Sequence, residues 1–450
     1  MGVGGSKPLE ADPRCAALAP VWGPFVDAFV DTLHANGAAV HPPPPRATSA
    51  LSRFSWRRAD VLTPSGEEKV PNAAASETHA LRSPGAPGPV FRPAVRRLVA
   101  VGDLHGDLAK TKEALVAGGL MDPSTERWSG GTTTAVQVGD QLDRGGDEVA
   151  ILLLLERLRK EARDAGGELV VMNGNHETLN VAGRFRYATA DGLEDFRRWR
   201  GRQCMGAAMK HACGVGPGEC SLVGASAAEA AVERSKRRTG AAAAVAAAAG
   251  DDAAAPGRTS ARLYSDSGPG AQLPRLAALA PGGPMARRFL AHQPLVVAVG
   301  STVFAHGGVL PHHVDYGLER INKETSDWVR GNKGSGPPPV HVSGRESVVW
   351  ARDYSMPEKT QCDCDVLEAS LSKMPGMKRV VVGHTIQAPH GVNAACDGKV
   401  LRVDVGMSKG CGDGKPEVLE ILDDGRGGVF RLSLDESKAV VRERVAGVAA

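Results

Sequence analysis

Short runs of β-prone apolar residues recur along the chain, and five of them open into polar loops. Leu98-Val99-Ala100-Val101 enters Gly102-Asp103-Leu104-His105-Gly106-Asp107. Ala135-Val136-Gln137-Val138 enters Gly139-Asp140-Gln141-Leu142-Asp143-Arg144-Gly145, and Leu169-Val170-Val171-Met172 leads to Gly174-Asn175-His176-Glu177. In the second half, Leu295 to Val299 and Thr302 to Ala305 flank Gly300-Ser301 and predict two strands across a tight turn. The second of these runs into His306-Gly307-Gly308. Lys378 to Val382 predicts a strand leading to Gly383-His384-Thr385, and Lys399 to Val405 and Glu417 to Leu422 predict two more. Helical patterns follow the first two strands, over Asp107 to Ala117 and Asp147 to Lys160. Alternating strand, loop and helix predicts a layered α/β architecture.

The same patterning divides the chain. Trp22, Phe25, Val26, Phe29, Val30 and Leu33 form a stripe at helical spacing, so residues 1–40 read as a Gly-rich tip and an amphipathic helix. That helix is expected to dock on the main domain. A partner-binding or membrane-assisting role is the alternative, although its polar face lacks the Lys and Arg of a basic membrane helix. Residues 41–95 are rich in Pro, Ser, Ala and Arg and read as a linker. The catalytic-type domain is expected over 96–432, interrupted by a low-complexity, disordered Ala-rich insertion at about 214–274, and residues 433–450 read as a C-terminal tail.

Composition narrows the function. At 450 residues the chain can bury a sizeable core, and its net charge of +3 gives no argument for nucleic acid. No run approaches the roughly 18 apolar residues of a membrane span. Eight scattered cysteines do not resemble a disulfide framework. They favour a reducing compartment, and Cys362-Asp363-Cys364 reads as free thiols. The chain lacks a secretory signal pattern, so a cytoplasmic location is the default. Met1-Gly2-Val3-Gly4-Gly5-Ser6 fits the N-myristoylation pattern, with Cys15 available for a second acylation, which leaves a membrane-associated or organellar pool as the alternative.

The loops carry the chemistry. Asp103, His105, Asp140, Asn175, His306 and His384 each sit just past an apolar strand. In open α/β sheets, ligands bind beyond the carboxyl ends of strands. A shared Asp140 would bridge two ions about 3.5–4 Å apart, a pair that activates water and clamps a phosphoryl group. Mixed nitrogen and oxygen donors without thiolate suit Mn²⁺, Fe or Zn²⁺. Arg144 and Arg352 are suited to forked phosphate binding. His176 is placed to protonate a leaving oxygen, oriented by Asp143. One such block alone would be weak, and a lone His306 or His384 would more often be structural; five in order make coincidence improbable. Asp107 reads as a helix cap, and His312, His313 and His390 read as surface residues.

With those residues in hand, the chain resembles the PPP-type metallophosphoesterases, whose blocks are GDxHG, GDxxDRG, GNHE, HGG and GH. Within them it is most similar to the Shewanella-like protein phosphatases. The supporting text is GDLHGD at Gly102–Asp107, GNHETLNVAGRFR at Gly174–Arg186, GLERIN at Gly317–Asn322, WARDY at Trp350–Tyr354, and VDVGMS at Val403–Ser408. The resemblance implies a central β-sandwich flanked by helices, two divalent metal ions, and direct attack by a metal-bridging hydroxide. It assigns Asp103, His105 and Asp140 to one ion, and Asp140, Asn175, His306 and His384 to the other. Asp143 and His176 become an acid dyad, and Arg144 and Arg352 phosphate clamps. The implied activity is a phosphoric monoester hydrolase acting on phosphoproteins, at phosphoserine/threonine or phosphotyrosine. A hydrolase of small phosphoesters or dinucleoside polyphosphates is the alternative enzyme. A pseudophosphatase scaffold is disfavoured because every ligand is present. The chain departs from the common eukaryotic Ser/Thr phosphatases in having Val171-Met172-Asn173 before Gly174, and in lacking their toxin-contacting tail. Weak sensitivity to okadaic acid and microcystin is therefore expected.

Overall fold

The structure is a computed structural model that describes residues 19–35, 89–215, 269–332, 336–356 and 362–448. The acylation motif, Cys15, most of the linker and the Ala-rich run lie outside the described residues. Among the described residues the strands are β1 (Phe91–Arg92), β2 (Arg97–Val101), β3 (Thr134–Gln137), β4 (Glu168–Val171), β5 (Val296–Val299), β6 (Thr302–Ala305), β7 (Arg379–Val382), β8 (Asn393–Ala395), β9 (Val400–Arg402), β10 (Glu417–Leu422), β11 (Gly428–Leu434) and β12 (Val440–Arg444). The described helices are α1 (Ala19–Ala35), α2 (Leu108–Ala117), α3 (Glu148–Asp164), α4 (Asn175–Val181), α5 (Ala190–Ala212), α6 (Leu273–Leu279), α7 (Pro284–Arg288), α8 (Pro311–Tyr316), α9 (Leu318–Val329) and α10 (Cys364–Ser372).

The strands form two six-stranded sheets, ordered β4-β3-β2-β10-β11-β12 and β1-β5-β6-β7-β9-β8. In the first, β2, β3 and β4 run parallel while β10 to β12 pair antiparallel. The second pairs β6, β7 and β9 in parallel, and β5 joins β6 through the Gly300-Ser301 hairpin. Side chains alternate between the faces of a strand. Val297, Val299, Phe304, Val381 and Leu401 accordingly meet Val99, Val101 and Val136 of the first sheet in one core. Val296, Ala298, Val303, Val380 and Val382 point the other way, into a second core with Phe196, Leu290, Ile321 and Trp328 from the helices. The layered sandwich flanked by helices is the expected α/β fold. Strands buried on both faces explain why these segments read as unbroken apolar runs.

Several elements depart from the sequence reading. Residues 89–95, read as linker, contain β1; buried Val90 donates its N–H to Glu319 Oε1 at 2.8 Å and accepts from Ala298 N at 2.7 Å. Residues 433–450, read as tail, carry β12, a mostly exposed strand that pairs along the edge of β11. Pro269 to Pro274, read as insertion, form a 3₁₀ turn and the start of α6. Asp107 does cap α2, accepting from Lys110 N at 3.1 Å. Helix α1 packs on α5 through Val26, Val30 and His34, not through its whole stripe; Phe25 and Phe29 stack outward and stay exposed. The reason is Gly206, whose bare backbone admits Val30. His313 is buried rather than on the surface, because its Nδ1 accepts from Leu310 N.

The cysteine reading is also corrected. Cys364 and Cys396 form a disulfide with a Cα–Cα separation of 5.5 Å, and Cys204 and Cys213 each take part in a disulfide as well. Folding brings the end of β8 beside the start of α10, a proximity that a sequence separation of 32 does not reveal. Cys362 and Cys411 are free and buried among the described residues. Among those residues, no helix is long and apolar enough to cross a membrane.

Candidate active site

Both sheets deliver their polar loops to one place. Asp103 and His105 follow β2, Asp140 follows β3, Asn175 and His176 open α4 after β4, His306 follows β6, and His384 follows β7. Backbone bonds tie the loops together: Leu104 and His105 donate to Asp140 O, and Gly106 donates to Gln141 O, all at 2.9–3.0 Å. His105, Asp140, Asp143, Arg144 and His384 all have positive φ, between 46° and 68°. Left-handed non-glycine residues cost energy and persist where surrounding structure holds them, characteristically at functional sites.

Asp140 stands at the centre. Its Oδ2 lies 3.2 Å from His306 Nε2, 3.6 Å from His105 Nε2 and 3.7 Å from His176 Nε2. Its Oδ1 accepts the His176 N–H at 3.0 Å. His306 Nε2 also lies 2.8 Å from Asn175 Oδ1. Asp103 Oδ2 is 4.0 Å from His105 Nε2 and 3.2 Å from His384 N. The donor atoms fall into two sets that share Asp140: one with His105 and His176, one with His306 and His384. All six expected ligands therefore come together.

The local chemistry suits cations. His105 Nδ1 and His306 Nδ1 each face a backbone carbonyl, Leu142 O and Val138 O, at 3.1 Å. A proton held there leaves Nε2 as a lone pair aimed at the cluster, the arrangement used by metal-binding imidazoles. His384 Nε2 is buried with no hydrogen-bond partner, and buried polar atoms normally have one. Burial, with Asp404 and Asp140 nearby, pushes the Asp103 carboxyl well above its usual range. Asp404 is pushed up to about 6 by burial. Burial also acts to raise Asp140, but His306 and His176 outweigh it and hold that carboxyl low. Burial and His176 hold His105 at about 3, and burial with His306 and Arg352 holds His384 well below the usual imidazole value. Burial acts to lower His306, but Asp140 outweighs it and raises that imidazole. Crowded buried carboxylates beside the neutral imidazoles of His105 and His384 form a donor set whose repulsion a cation would relieve. The residues present fit divalent metal.

The other expected residues frame this cluster. His176 Nδ1 lies 2.7 Å from Asp143 Oδ2, leaving Nε2 directed at Asp140. Arg144 packs over the Tyr187 ring at 5.1 Å, with its buried Nε unpartnered. Arg352 follows buried Ala351, half-buried, close enough for its charge to act on His384. Trp350 meets His384 edge-on, with centroids 5.5 Å apart.

Two organising residues were not read from the sequence. Glu177 accepts four backbone N–H groups: Asp140 and Gly174 on Oε2, Gln141 and Leu142 on Oε1, at 2.7–3.0 Å. Its position, three residues after the helix-opening Gly174, is that of the acidic residue in a capping box, a signal that could have found it. Arg275, fully buried at α6, reaches Asp143 Oδ1 at 2.8 Å. No motif surrounds it.

The class follows from the fold together with this donor set: residues 96–214 match the calcineurin-like phosphoesterases, enzymes that use divalent metals. The chain is 46% identical over 328 residues to Shewanella-like protein phosphatase 2 of Arabidopsis thaliana, spanning 73% of this chain and 75% of that protein. It is 25% identical over 352 residues to Shewanella-like protein phosphatase 1 of Plasmodium berghei, spanning 76% of each. A solved cold-active protein tyrosine phosphatase shares the fold, with a TM-score of 0.51 and 18% identity over 81% of this chain and 84% of that one. The chain belongs to the Shewanella-like protein phosphatases and is a metal-dependent phosphoric monoester hydrolase.

Proposed function

We propose that the chain dephosphorylates phosphoproteins with a pair of divalent cations, manganese being well suited to its donors. Asp103, His105 and Asp140 would hold one ion; Asp140, Asn175, His306 and His384 the other. When bound, the pair supplies Lewis acidity at the phosphoryl oxygens and a water of lowered pKa. The chain's own side chains do the rest. Arg144 and Arg352 orient the phosphate, and the unpartnered Arg144 Nε is a donor available for it. Asp143 keeps the Nδ1 proton of His176 in place, so that Nε2 can deliver a proton to the leaving oxygen. The observation that carries this reading is Asp140, whose Oδ2 faces imidazoles from both donor sets.

The test is hydrolysis of p-nitrophenyl phosphate, of phosphoserine and phosphotyrosine peptides, and of diadenosine tetraphosphate by purified protein with Mn²⁺. Both peptide types are needed because the structural relative is named a tyrosine phosphatase. The phosphopeptides should be the better substrates. Asp140→Asn should abolish turnover, and His176→Asn should lower kcat on phosphopeptides by roughly 10²-fold or more. Undiminished activity in either variant refutes the assignment; preference for diadenosine tetraphosphate replaces the phosphoprotein with a small-molecule substrate.

A further inference from the structure

We infer that Arg275 is a positioning residue for the acid dyad, fixing the Asp143 carboxylate so that His176 presents Nε2 to the leaving oxygen; this rests on the acid role proposed above. The guanidinium is completely buried, and all three of its nitrogens donate. Nη1 donates to Glu148 Oε2 at 2.5 Å, and Nη2 donates to Glu148 Oε1 at 2.7 Å and Asp143 Oδ1 at 2.8 Å. Nε donates to Asn180 Oδ1 at 2.7 Å. Asn180 in turn gives its amide to Asp143 Oδ2 at 3.0 Å and to His176 O at 2.9 Å. The remaining lone pair on Oδ2 faces His176 Nδ1. Glu148 closes the ring by accepting the Asp143 N–H. Both oxygens and the backbone of Asp143 are thereby held, and each hold traces back to Arg275. The rings of Phe196 and Phe185 lie 4.7 and 5.7 Å from the guanidinium carbon and keep it in place.

A purely structural role is the weaker reading. Buried ion clusters seldom outperform apolar residues of the same volume in stability. Here a forked cation is spent on a carboxylate whose other oxygen touches the dyad histidine. Arg275 also comes from outside the loops that form the rest of the site: it sits on α6, separated in sequence from α5 by residues 213–272. The chain therefore completes its acid from an element beyond the low-complexity segment.

The test exploits leaving groups. p-Nitrophenolate departs readily without a proton, whereas phenolate gains more from protonation. The ratio of kcat for phenyl phosphate to kcat for p-nitrophenyl phosphate reads the acid and is independent of how much protein is folded. Three variants are compared, with metal content measured in each: His176→Asn, Arg275→Lys, and the double variant Glu148→Gln/Arg275→Met. The double variant removes one negative and one positive charge, so the net charge around Asp143 stays the same. The ratio should fall most in His176→Asn and about tenfold in the double variant, with a smaller fall in Arg275→Lys and two ions retained. A ratio unchanged in the Arg275 variants while His176→Asn lowers it overturns the inference alone. A ratio unchanged in His176→Asn overturns the acid assignment and the inference with it. Loss of metal with both rates lowered alike places Arg275 in support of the metal ligands instead, and also overturns it.

Discussion

Replacing Gly174 with Ala separates the placement of the central carboxylate from its chemistry. A Cβ at this position would lie 2.1 Å from Asp140 Oδ1, 2.7 Å from Asp140 N and 2.9 Å from Asp140 Cγ. Real Cβ atoms essentially never approach a heavy atom within 3.0 Å, so the carboxylate or its loop must retreat by about 1 Å. The backbone at Gly174 is extended, with φ −98° and ψ −168°, so Ala brings no dihedral strain and the collision is the whole perturbation. Asp140 cannot give way cheaply. Its Oδ1 accepts the His176 N–H, its Oδ2 faces His306, and its N–H is held by Glu177. Overpacking of this kind costs about 1–3 kcal/mol of stability. A 1 Å error among reacting groups costs on the order of 10²-fold in rate. Gly174→Ala should therefore lower kcat about 100-fold with a melting-temperature loss of only a few degrees, measured by p-nitrophenyl phosphate hydrolysis and thermal unfolding. Gly201→Ala is the matched control: it lies exposed in α5, and its Cβ would meet nothing within 4 Å. Helix propensity predicts a gain of up to about 1 kcal/mol there, with unchanged kcat. If Gly174→Ala keeps kcat within threefold of the parent protein, the central placement of Asp140 does not control turnover, and the geometric reasoning fails.

Gly383→Ala should impair metal binding by the same logic, because its Cβ would lie 2.4 Å from Asp103 Oδ1; titration with Mn²⁺ should show weakened uptake, and unaltered uptake counts against Asp103 as a ligand. Chelation should abolish activity and also lower the melting temperature, since Asp103, Asp140 and Asp404 then face one another without a cation. A ligand at about 100 times its Kd contributes about 2.7 kcal/mol. Restoring Mn²⁺ should recover both properties, and a melting temperature indifferent to chelator argues against a metal in the fold. Stability should also fall in acid through His313, which burial and the His312 charge hold at about 3 against an ordinary 6.5. The unfolded chain takes up this proton first, so the contribution is complete above pH 6.5 and is lost as pH falls toward 3, amounting to about 2 kcal/mol by pH 4.5. His313→Asn keeps an acceptor for Leu310 N and should flatten the decline between pH 6.5 and 4.5; an unchanged slope removes His313 as its source.

What could be read from the chain was local. Asp103, His105, Asp140, Asn175, His306 and His384 each directly follow a short apolar run, so strand and loop declare themselves within a few residues of each other. What stayed hidden depends on partners far apart in the chain. Arg275 meets Asp143 across 132 residues and Glu148 across 127, with no motif around Arg275 or Glu148. The helical stripe of α1 was visible, but six apolar residues at helical spacing do not say which of them find a cover; Gly206, on another helix, decides that Val26 and Val30 do. Edge strands were missed for a related reason. β1 has two residues and β12 is mostly exposed, so neither carries a periodic signature. The Cys364–Cys396 bond likewise depends on where β8 ends relative to α10.

The two sheets are joined at their carboxyl ends largely by the residues of the site itself. His306, from the second sheet, places Nδ1 3.1 Å from Val138 O of the first. His384 directs its backbone N–H at both oxygens of Asp103, and Gly383 allows that carboxylate to approach the backbone. Asn173, one residue before the Gly174 turn, receives the other flank: its N–H donates to Pro294 O, and its amide to Leu290 O and Gln293 O. Each of these contacts pairs a loop from residues 102–175 with one from residues 290–384. Neither half alone can pair these groups, and orphaned buried polar groups are costly. The bonds that close the sandwich at this end are thus the bonds that align the donor atoms. Substitutions that loosen the sheet contact should therefore reach turnover before they reach the melting temperature, because the cores hold the strands while the loops set the distances around Asp140.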